Sequence, residues 1–283
     1  MKRIGVAGIG IMGAGMASSL LRNGFRVTLW NRSRAKCDPL VDLGATVASS
    51  PESLASESDV VVSVLRDDFV VREVLIDQML PGVKSGTTFI DMSTVTPGLA
   101  RRAASACESR GCNFLDAPVM GSKEAAAAGE LTILVGGSSE TLEAQRDVLS
   151  ALGQRIIHVG PNGSSAYLKL ACNQLVAGVM AAIGEGIALA RQGDVDRTTA
   201  VEMFTSTLSR VAGMKHPKIA NQDWSTHFAL DLMLKDLRQA QEAASESQLG
   251  MPVLSAVAEV YRQLQGQGRG ALDFSVVTDP NNS

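Results

Sequence analysis

The 283 residues predict an α/β chain in two parts: a doubly wound, mostly parallel sheet over residues 1–162, then an all-helical part over 163–283. Three observations lead there. Short apolar runs alternate with helical patterns through the first part, as a sheet covered by helices on both faces requires. A glycine-rich turn, Gly8-x-Gly10-x-x-Gly13, joins the first apolar run to the first helical pattern. Beyond Gly160-Pro161-Asn162-Gly163 the strand-like runs stop.

Ile4 to Ala7 reads as a short buried strand, and Met12, Met16, Leu20 and Leu21 recur at helical spacing up to Asn23-Gly24, a natural stop. The three glycines therefore sit at a strand-to-helix turn. Gly8 permits the tight turn, Gly10 lacks the Cβ that would block a pyrophosphate, and Gly13 lets helix and strand pack closely. A helix starting here turns free N–H groups and the positive end of its dipole toward phosphates. A second strand-like run, Arg26 to Trp30, follows at the offset a βαβ unit requires. Gly8, Ile9, Gly10, Ile11, Met12 and Gly13 are thus candidate contacts of a dinucleotide.

After Trp30 come Asn31-Arg32-Ser33, with Arg34 and Lys36 close behind, where an NAD-preferring fold places an acid on the ribose hydroxyls. No carboxylate stands there. Arg32 and Lys36 instead offer cations to a ribose 2′-phosphate, which favours NADP(H); a solvated basic turn is the structural alternative.

A short helix from Ser50-Pro51-Glu52 to Ser56 leads to Asp59–Leu65, a nearly continuous apolar run typical of a parallel strand covered on both faces. Thr87–Asp91 is the next strand and ends in Met92-Ser93-Thr94, and Asn113–Ala117 ends in Pro118-Val119-Met120-Gly121-Ser122. Leu131–Val135 and Arg155–Val159 complete a Rossmann-type sheet. Ligands of such sheets lie beyond the carboxyl ends of the strands, so Leu65-Arg66-Asp67, Ser93-Thr94 and Met120-Gly121-Ser122 should border one crevice.

Ser164 to about Gln192 reads as one long helix, apolar almost all round, with Gly178, Ala181, Ala182, Gly184 and Gly186 as close-approach surfaces. Other helices or another subunit must cover it, so a homodimer or homotetramer is expected. Helical patterns follow at Arg197 to Leu208, Leu230 to Gln248 and Pro252 to Gln265, and the tail from Asp273 is short and polar at its end. In the long helix, Lys169 and Asn173 stand i, i+4 and share a face near its start, at the junction with the sheet domain. Apolar neighbours Leu168, Leu170, Ala171 and Leu175 would desolvate an inward-facing lysine, lowering its pKa and suiting it to exchange a proton with a carbonyl oxygen. On spacing alone a lysine near a helix start is more often surface charge, and Lys235-Asp236 reads as the solvated side of an amphipathic helix.

A formal charge of −3 and a pI near 5.7 give no basic bias toward nucleic acid. The first strand starts within three residues of Met1, and the uncharged stretch Leu170–Gly184 is shorter than the roughly 18–20 residues a bilayer requires. A cytoplasmic protein with no membrane partner is expected. Cys37, Cys107, Cys112 and Cys172 show no paired spacing and no His cluster, so neither a metal site nor a disulfide framework is indicated.

Taken together, Gly8-Ile-Gly-Ile-Met-Gly13 with Met16-Ala17, Asp91-Met-Ser-Thr94, Asp116-Ala-Pro-Val119, Lys169-Leu-Ala-Cys-Asn173, Lys235-Asp-Leu237 and Asp273-Phe-Ser275 resemble, in order, the blocks of the β-hydroxyacid dehydrogenase family. This family includes 3-hydroxyisobutyrate dehydrogenases and the glyoxylate and succinic semialdehyde reductases. The resemblance implies that Lys169 is the catalytic acid/base and that Asn173 orients the substrate. It also implies that Thr94 and Lys235 contact the cofactor near its nicotinamide end, and that Leu65 and Arg66 line its path. Ser93, Met120, Gly121, Ser122 and Asp236 become candidate contacts of a small carbonyl substrate. Asn31-Arg32-Ser33 with Lys36, and Gly121-Ser-Lys-Glu124, resemble the NADP-preferring reductase branch. Two positions depart from the family pattern: Met120 stands where a serine commonly holds the substrate carboxylate, and Cys172 replaces the first Asn of Lys-x-x-Asn-Asn. The leading reading is an NADPH-dependent reductase of a small aldehyde or keto acid. An imine reductase and a non-catalytic NADP-binding protein are its alternatives.

Overall fold

The protein is described over residues 2–282 by a computed structural model, in which the chain forms two compact units, one ending at Asn173 and one beginning at Gln174. The units part inside the long helix, eleven residues after the sequence-based boundary at 162/163.

The first unit opens with β1 (Arg3–Ala7), α1 (Ile11–Arg22) and β2 (Arg26–Trp30), followed by a short α2 (Asp38–Val41), β3 (Thr46–Val47), α3 (Pro51–Glu57) and β4 (Val60–Ser63). A continuous helical segment comes next, α4 (Asp68–Val71) running into a π-helical stretch at Arg72–Met79, and then β5 (Thr88–Asp91), α5 (Pro97–Glu108) and β6 (Asn113–Asp116). β7 (Val119–Met120), α6 (Lys123–Ala128), β8 (Thr132–Gly136), α7 (Ser139–Ala144), α8 (Arg146–Leu152) and β9 (Arg155–Gly160) complete it. Several helices start where a side chain caps them: Ser50 accepts from Ser53 N–H, Thr96 from Leu99 N–H and Ser138 from Thr141 N–H.

The strands lie in the order β3-β2-β1-β4-β5-β6-β8-β7, with β9 on β8. β1 to β6 pair in parallel, and the order reverses at β1, whose neighbours are β2 and β4. The expected doubly wound sheet is therefore present, but one edge is mixed: β8 runs antiparallel to β6 and β7. Two-residue β7 and the six-residue α6 form a short return in place of a full helical crossover, and Leu134 N–H donates to Pro118 O at 3.0 Å.

Side-chain alternation along the strands divides the core between the faces. Ile4, Val6, Val60, Val62 and Ile90 pack on one side with Met16 and Leu20 of α1 and Val148 and Leu152 of α8. Val61 and Phe89 pack on the other with Leu54, Leu75, Met79 and Leu99. Gly15 is the contact point of α1 with α6, where an added Cβ would lie 2.9 Å from Ala127 N.

In the second unit strands are absent among the described residues apart from an isolated Ala229–Asp273 bridge. It holds most of α9 (Ser164–Gln192), then α10 (Arg197–Ala220), α11 (Leu230–Glu246) and α12 (Pro252–Gly266). Leu230, Leu234, Tyr261, Leu264 and Val276 form its core. α10 runs twelve residues past the predicted stop at Leu208, through Pro217. Its last turns are anchored by two buried lysines: Lys215 donates to both oxygens of Asp273 at 2.7 and 2.9 Å, and Lys218 to Ser225 O at 2.6 Å and Asp223 Oδ2 at 3.2 Å. These bonds offset what the proline costs a helix interior. Asp273 also accepts from Ser275, His227 N–H and Phe228 N–H. Burial acts to raise its pKa, and these donors outweigh it, holding the carboxyl well below the usual range. The Asp273-Phe-Ser275 block is thus architectural.

The middle of α9 is exposed, Leu175 by 65%, Val176 by 55% and Met180 by 61%. By length and composition the whole helix, longer than the uncharged stretch Leu170–Gly184 on which the sequence reading rests, is long and apolar enough to cross a membrane. It is also tied to its own unit, since Glu185 accepts from Val253 and Leu254 N–H at 2.7 and 2.9 Å.

Candidate active site

The glycine turn between β1 and α1 has the stereochemistry its sequence requires. Gly8 sits at φ +97°, and a Cβ there would lie 2.2 Å from Val64 O; one on Gly13 would lie 1.9 Å from Gly8 O. A Cβ on Gly10 would meet nothing within 4 Å and would project into open space. Gly10 is the N-cap of α1 without a side-chain bond, and no acid occupies the first turn. Its unpaired N–H groups and dipole are left for an anion.

Asn31, at the end of β2, ties this turn to the neighbouring loop. Its Oδ1 accepts from Ile9 N–H at 2.9 Å, and its Nδ2 donates to Ser33 O at 2.8 Å. Ile9 is consequently not the contact that the motif suggests, because its N–H is taken and its side chain is 2% exposed in the core.

A cleft of about 540 Å³ opens at the reversal of strand order. It brings together Gly8, Gly10, Ile11, Met12, Gly13, Asn31, Arg32, Ser33, Lys36, Leu65 and Arg66, all residues picked from the sequence, and adds Trp30, Val64, Val70, Glu73, Val74 and Gln78. The added residues from 70 to 78 come from the helical segment after β4, whose π-helical course no local sequence signal marks. Arg32 and Lys36 are exposed and form no ion pair among the described residues, whereas Arg34 pairs with Asp38 at 3.6 Å. Arg66 is held by Asp67, which also caps α4. The shape and donors fit a nicotinamide dinucleotide: a cradle that a Cβ would fill, a free helix start and two unpaired cations at the far end.

Beyond β5, Ser93 is buried, with its hydroxyl donating to Asp91 at 2.6 Å and accepting from Leu65 N–H at 2.8 Å. The resemblance makes Ser93 a substrate contact; the structure instead makes it the pin between two crevice loops. Burial pushes the Asp91 carboxyl up in pKa, against the serine hydroxyls that pull it down. Thr94, next in the chain, is exposed.

Asp116, at the end of β6, fixes the start of α9. It accepts from Gly163 N–H at 3.0 Å, Asn162 Nδ2 at 2.9 Å and Ser165 Oγ at 2.5 Å. Lys169 follows one turn later, half-buried, with its Nζ 3.4 Å from the sulfur of Met120. Burial lowers its pKa below that of an ordinary lysine. Lys169 forms no ion pair among the described residues. Asn173, a turn further on, is exposed, and Gly121 takes φ +140°. The hydroxyl of Ser122 caps α6, accepting from Ala125 N–H at 3.3 Å. In the second unit, Lys235 and Asp236 are exposed and pair with each other at 2.9 Å, as the amphipathic reading of that helix has it. Among the described residues no group of three His, Cys, Asp or Glu side chains is placed to hold a metal.

Comparison with known proteins agrees with this geometry. Residues 3–160 match the family described as the NAD binding domain of 6-phosphogluconate dehydrogenase, and residues 163–280 match the NAD-binding family of NADP-dependent 3-hydroxyisobutyrate dehydrogenase. Glyoxylate/succinic semialdehyde reductase 1 of Arabidopsis thaliana is 32% identical over 98% of this chain and 97% of its own. NAD-dependent L-serine dehydrogenase of Pseudomonas aeruginosa is 35% identical over the same shares. Among solved structures, a reductive aminase from Aspergillus terreus in complex with NADPH and ethyl levulinate superposes with a TM-score of 0.86, at 26% identity and 99% coverage of both chains. With its Rossmann cradle, its lysine-bearing helix and relatives matched from end to end, the chain belongs to the β-hydroxyacid dehydrogenase family of nicotinamide-dependent oxidoreductases.

Proposed function

We propose that this enzyme uses NADPH to reduce a small aldehyde or keto acid, of the glyoxylate or succinic semialdehyde kind, to the hydroxyacid, with Lys169 as the proton donor. The observation that carries this reading is Lys169 itself: a half-buried ammonium without a carboxylate partner, on a helix start immobilised by Asp116. Bound NADPH supplies hydride. The chain's own work is to orient the carbonyl and to give its oxygen the Lys169 proton, in a setting whose partial desolvation makes the ammonium a better acid than free lysine. Arg32 and Lys36 favour NADPH because they line the cleft unpaired, with no acid from Asn31 to Lys36.

A second reading, reduction of an imine, is favoured by Met120, whose thioether gives a substrate carboxylate no hydroxyl donor, and by the likeness to the reductive aminase fold. NADPH consumption across glyoxylate, succinic semialdehyde, uncharged aldehydes and cyclic imines separates the two. The carbonyl reading expects the two acids to be turned over at least about tenfold more efficiently, in kcat/KM, than any imine, a difference of about 1.4 kcal/mol in transition-state binding. Turnover confined to imines replaces the proposed substrate class.

We also propose that a second copy of this chain covers the exposed face of α9. An apolar depression of about 210 Å³ between α9 and α10, lined by Val179, Ile183, Gly186, Phe204 and Leu208, suits close helix packing. Light scattering of the purified protein should give twice or four times 29.7 kDa; a monomer at micromolar concentration rejects the oligomer.

A further inference from the structure

Met120 and Lys169 lie 49 residues apart, yet their side chains meet at 3.4 Å, sulfur to ammonium. Both are carried by braced backbone. Met120 belongs to β7, paired with Thr132 of β8, and Lys169 stands on the helix start that Asp116 holds through Gly163 and Ser165. The contact therefore joins two fixed elements at the carboxyl edge of the sheet.

We propose that Met120 is a positioning residue for the Lys169 ammonium, holding it from the facing β7 strand through a weak acceptor. The proposal rests on the reading of Lys169 as proton donor. A thioether sulfur is large, polarisable and a poor hydrogen-bond acceptor. It fills the space that water would otherwise take, directs the N–H groups and returns little of the lost solvation. A carboxylate there would form an ion pair and make the ammonium a reluctant acid; a hydroxyl would admit water beside it. Met120 does neither, and the proton stays available to a carbonyl oxygen. Within the first unit, the titratable group acting on Lys169 is Cys172 on its own helix, which favours the charged form less than burial opposes it. The β7 strand packed against the lysine contributes Met120 and no charge.

The test uses Met120→Ser, Met120→Leu and Lys169→Ala. The pH dependence of Lys169 acylation by acetic anhydride is read by peptide mass spectrometry in the cofactor-free protein, and kcat is followed against pH on one reference substrate. Because the charged lysine is the active acid, reduction fails as pH rises through its pKa, and acylation rises over the same range. In Met120→Ser the ammonium gains a hydroxyl and water, so both profiles should move to higher pH. In Met120→Leu the bulk remains and the acceptor is lost: acylation should not move upward, and kcat at neutral pH should fall roughly tenfold because the ammonium is no longer held in line. NADPH fluorescence checks folding, and the nearly isosteric leucine variant decides the matter if the serine variant does not fold. Serine-variant profiles superimposable on wild type, or a leucine variant with wild-type kcat, overturn the role of Met120. Lys169→Ala keeps the two failures apart. Near-wild-type turnover there rejects the proton-donor reading, whereas an inactive Lys169→Ala beside an unmoved Met120→Ser profile rejects Met120 alone.

Discussion

Lys169→Ala should lose about 10²–10⁴-fold in kcat, the range that a positioned general acid contributes, while NADPH binds nearly as tightly as to wild type. The split follows from where Lys169 sits. It is absent from the lining of the dinucleotide cleft and is held at the start of α9 by an Asp116 network that the alanine leaves intact. The Ala side chain removes an ammonium that makes no ion pair among the described residues, so little folding energy should go with it. Stopped-flow turnover beside a fluorescence titration of NADPH checks both halves. A variant that keeps more than about a tenth of wild-type kcat has another proton donor, because losing a general acid costs at least roughly 10²-fold.

Arg32→Asp should lower kcat/KM for NADPH by about 10²–10³-fold and leave that for NADH within a few-fold. One charge-assisted bond to a phosphate contributes about 1.5–3 kcal/mol, and the new carboxylate adds repulsion to it. Arg32 is free to make that bond because Asn31, rather than Arg32, secures the neighbouring glycine turn through Ile9 N–H. For the same reason the variant should retain the NADH site: the cradle is built by Gly8, Gly10, Gly13 and Asn31, none of which the change touches. Steady-state kinetics with both cofactors decide it. Equal discrimination before and after the change would leave Lys36, the other cation of the cleft without an ion pair among the described residues, to carry any NADPH preference.

The parts of this protein that are legible in the sequence are those fixed by neighbours along the chain. Gly8 and Gly13 declare a turn that a Cβ would break, the apolar runs from Ile4 to Ile90 declare strands by their length and spacing, and Ser50 announces a helix start. Nine residues of the cleft followed from that local grammar, because a strand-turn-helix unit carries its own phosphate geometry, and the resemblance added Leu65 and Arg66. Spacing also sets Lys169 and Asn173 on one face of a helix start, and it is the resemblance to the family that implies the acid/base role.

Where each polar atom spends its hydrogen bonds was decided by the tertiary structure. The hydroxyl of Ser93 donates to Asp91 and accepts from the Leu65 N–H, 28 residues before Ser93. Ile9 N–H is taken by Asn31, 22 residues on. Lys215, close to Pro217 in α10, finds Asp273 58 residues away, and the contact between Met120 and Lys169 spans 49. Local periodicity marks which segments are strands and helices, since side-chain direction repeats within a few residues in either. A buried donor or acceptor must find its partner wherever the fold brings one. The sequence alone therefore determined the cradle, and only the folded chain decided which polar atoms are already committed and what lies against the Lys169 ammonium.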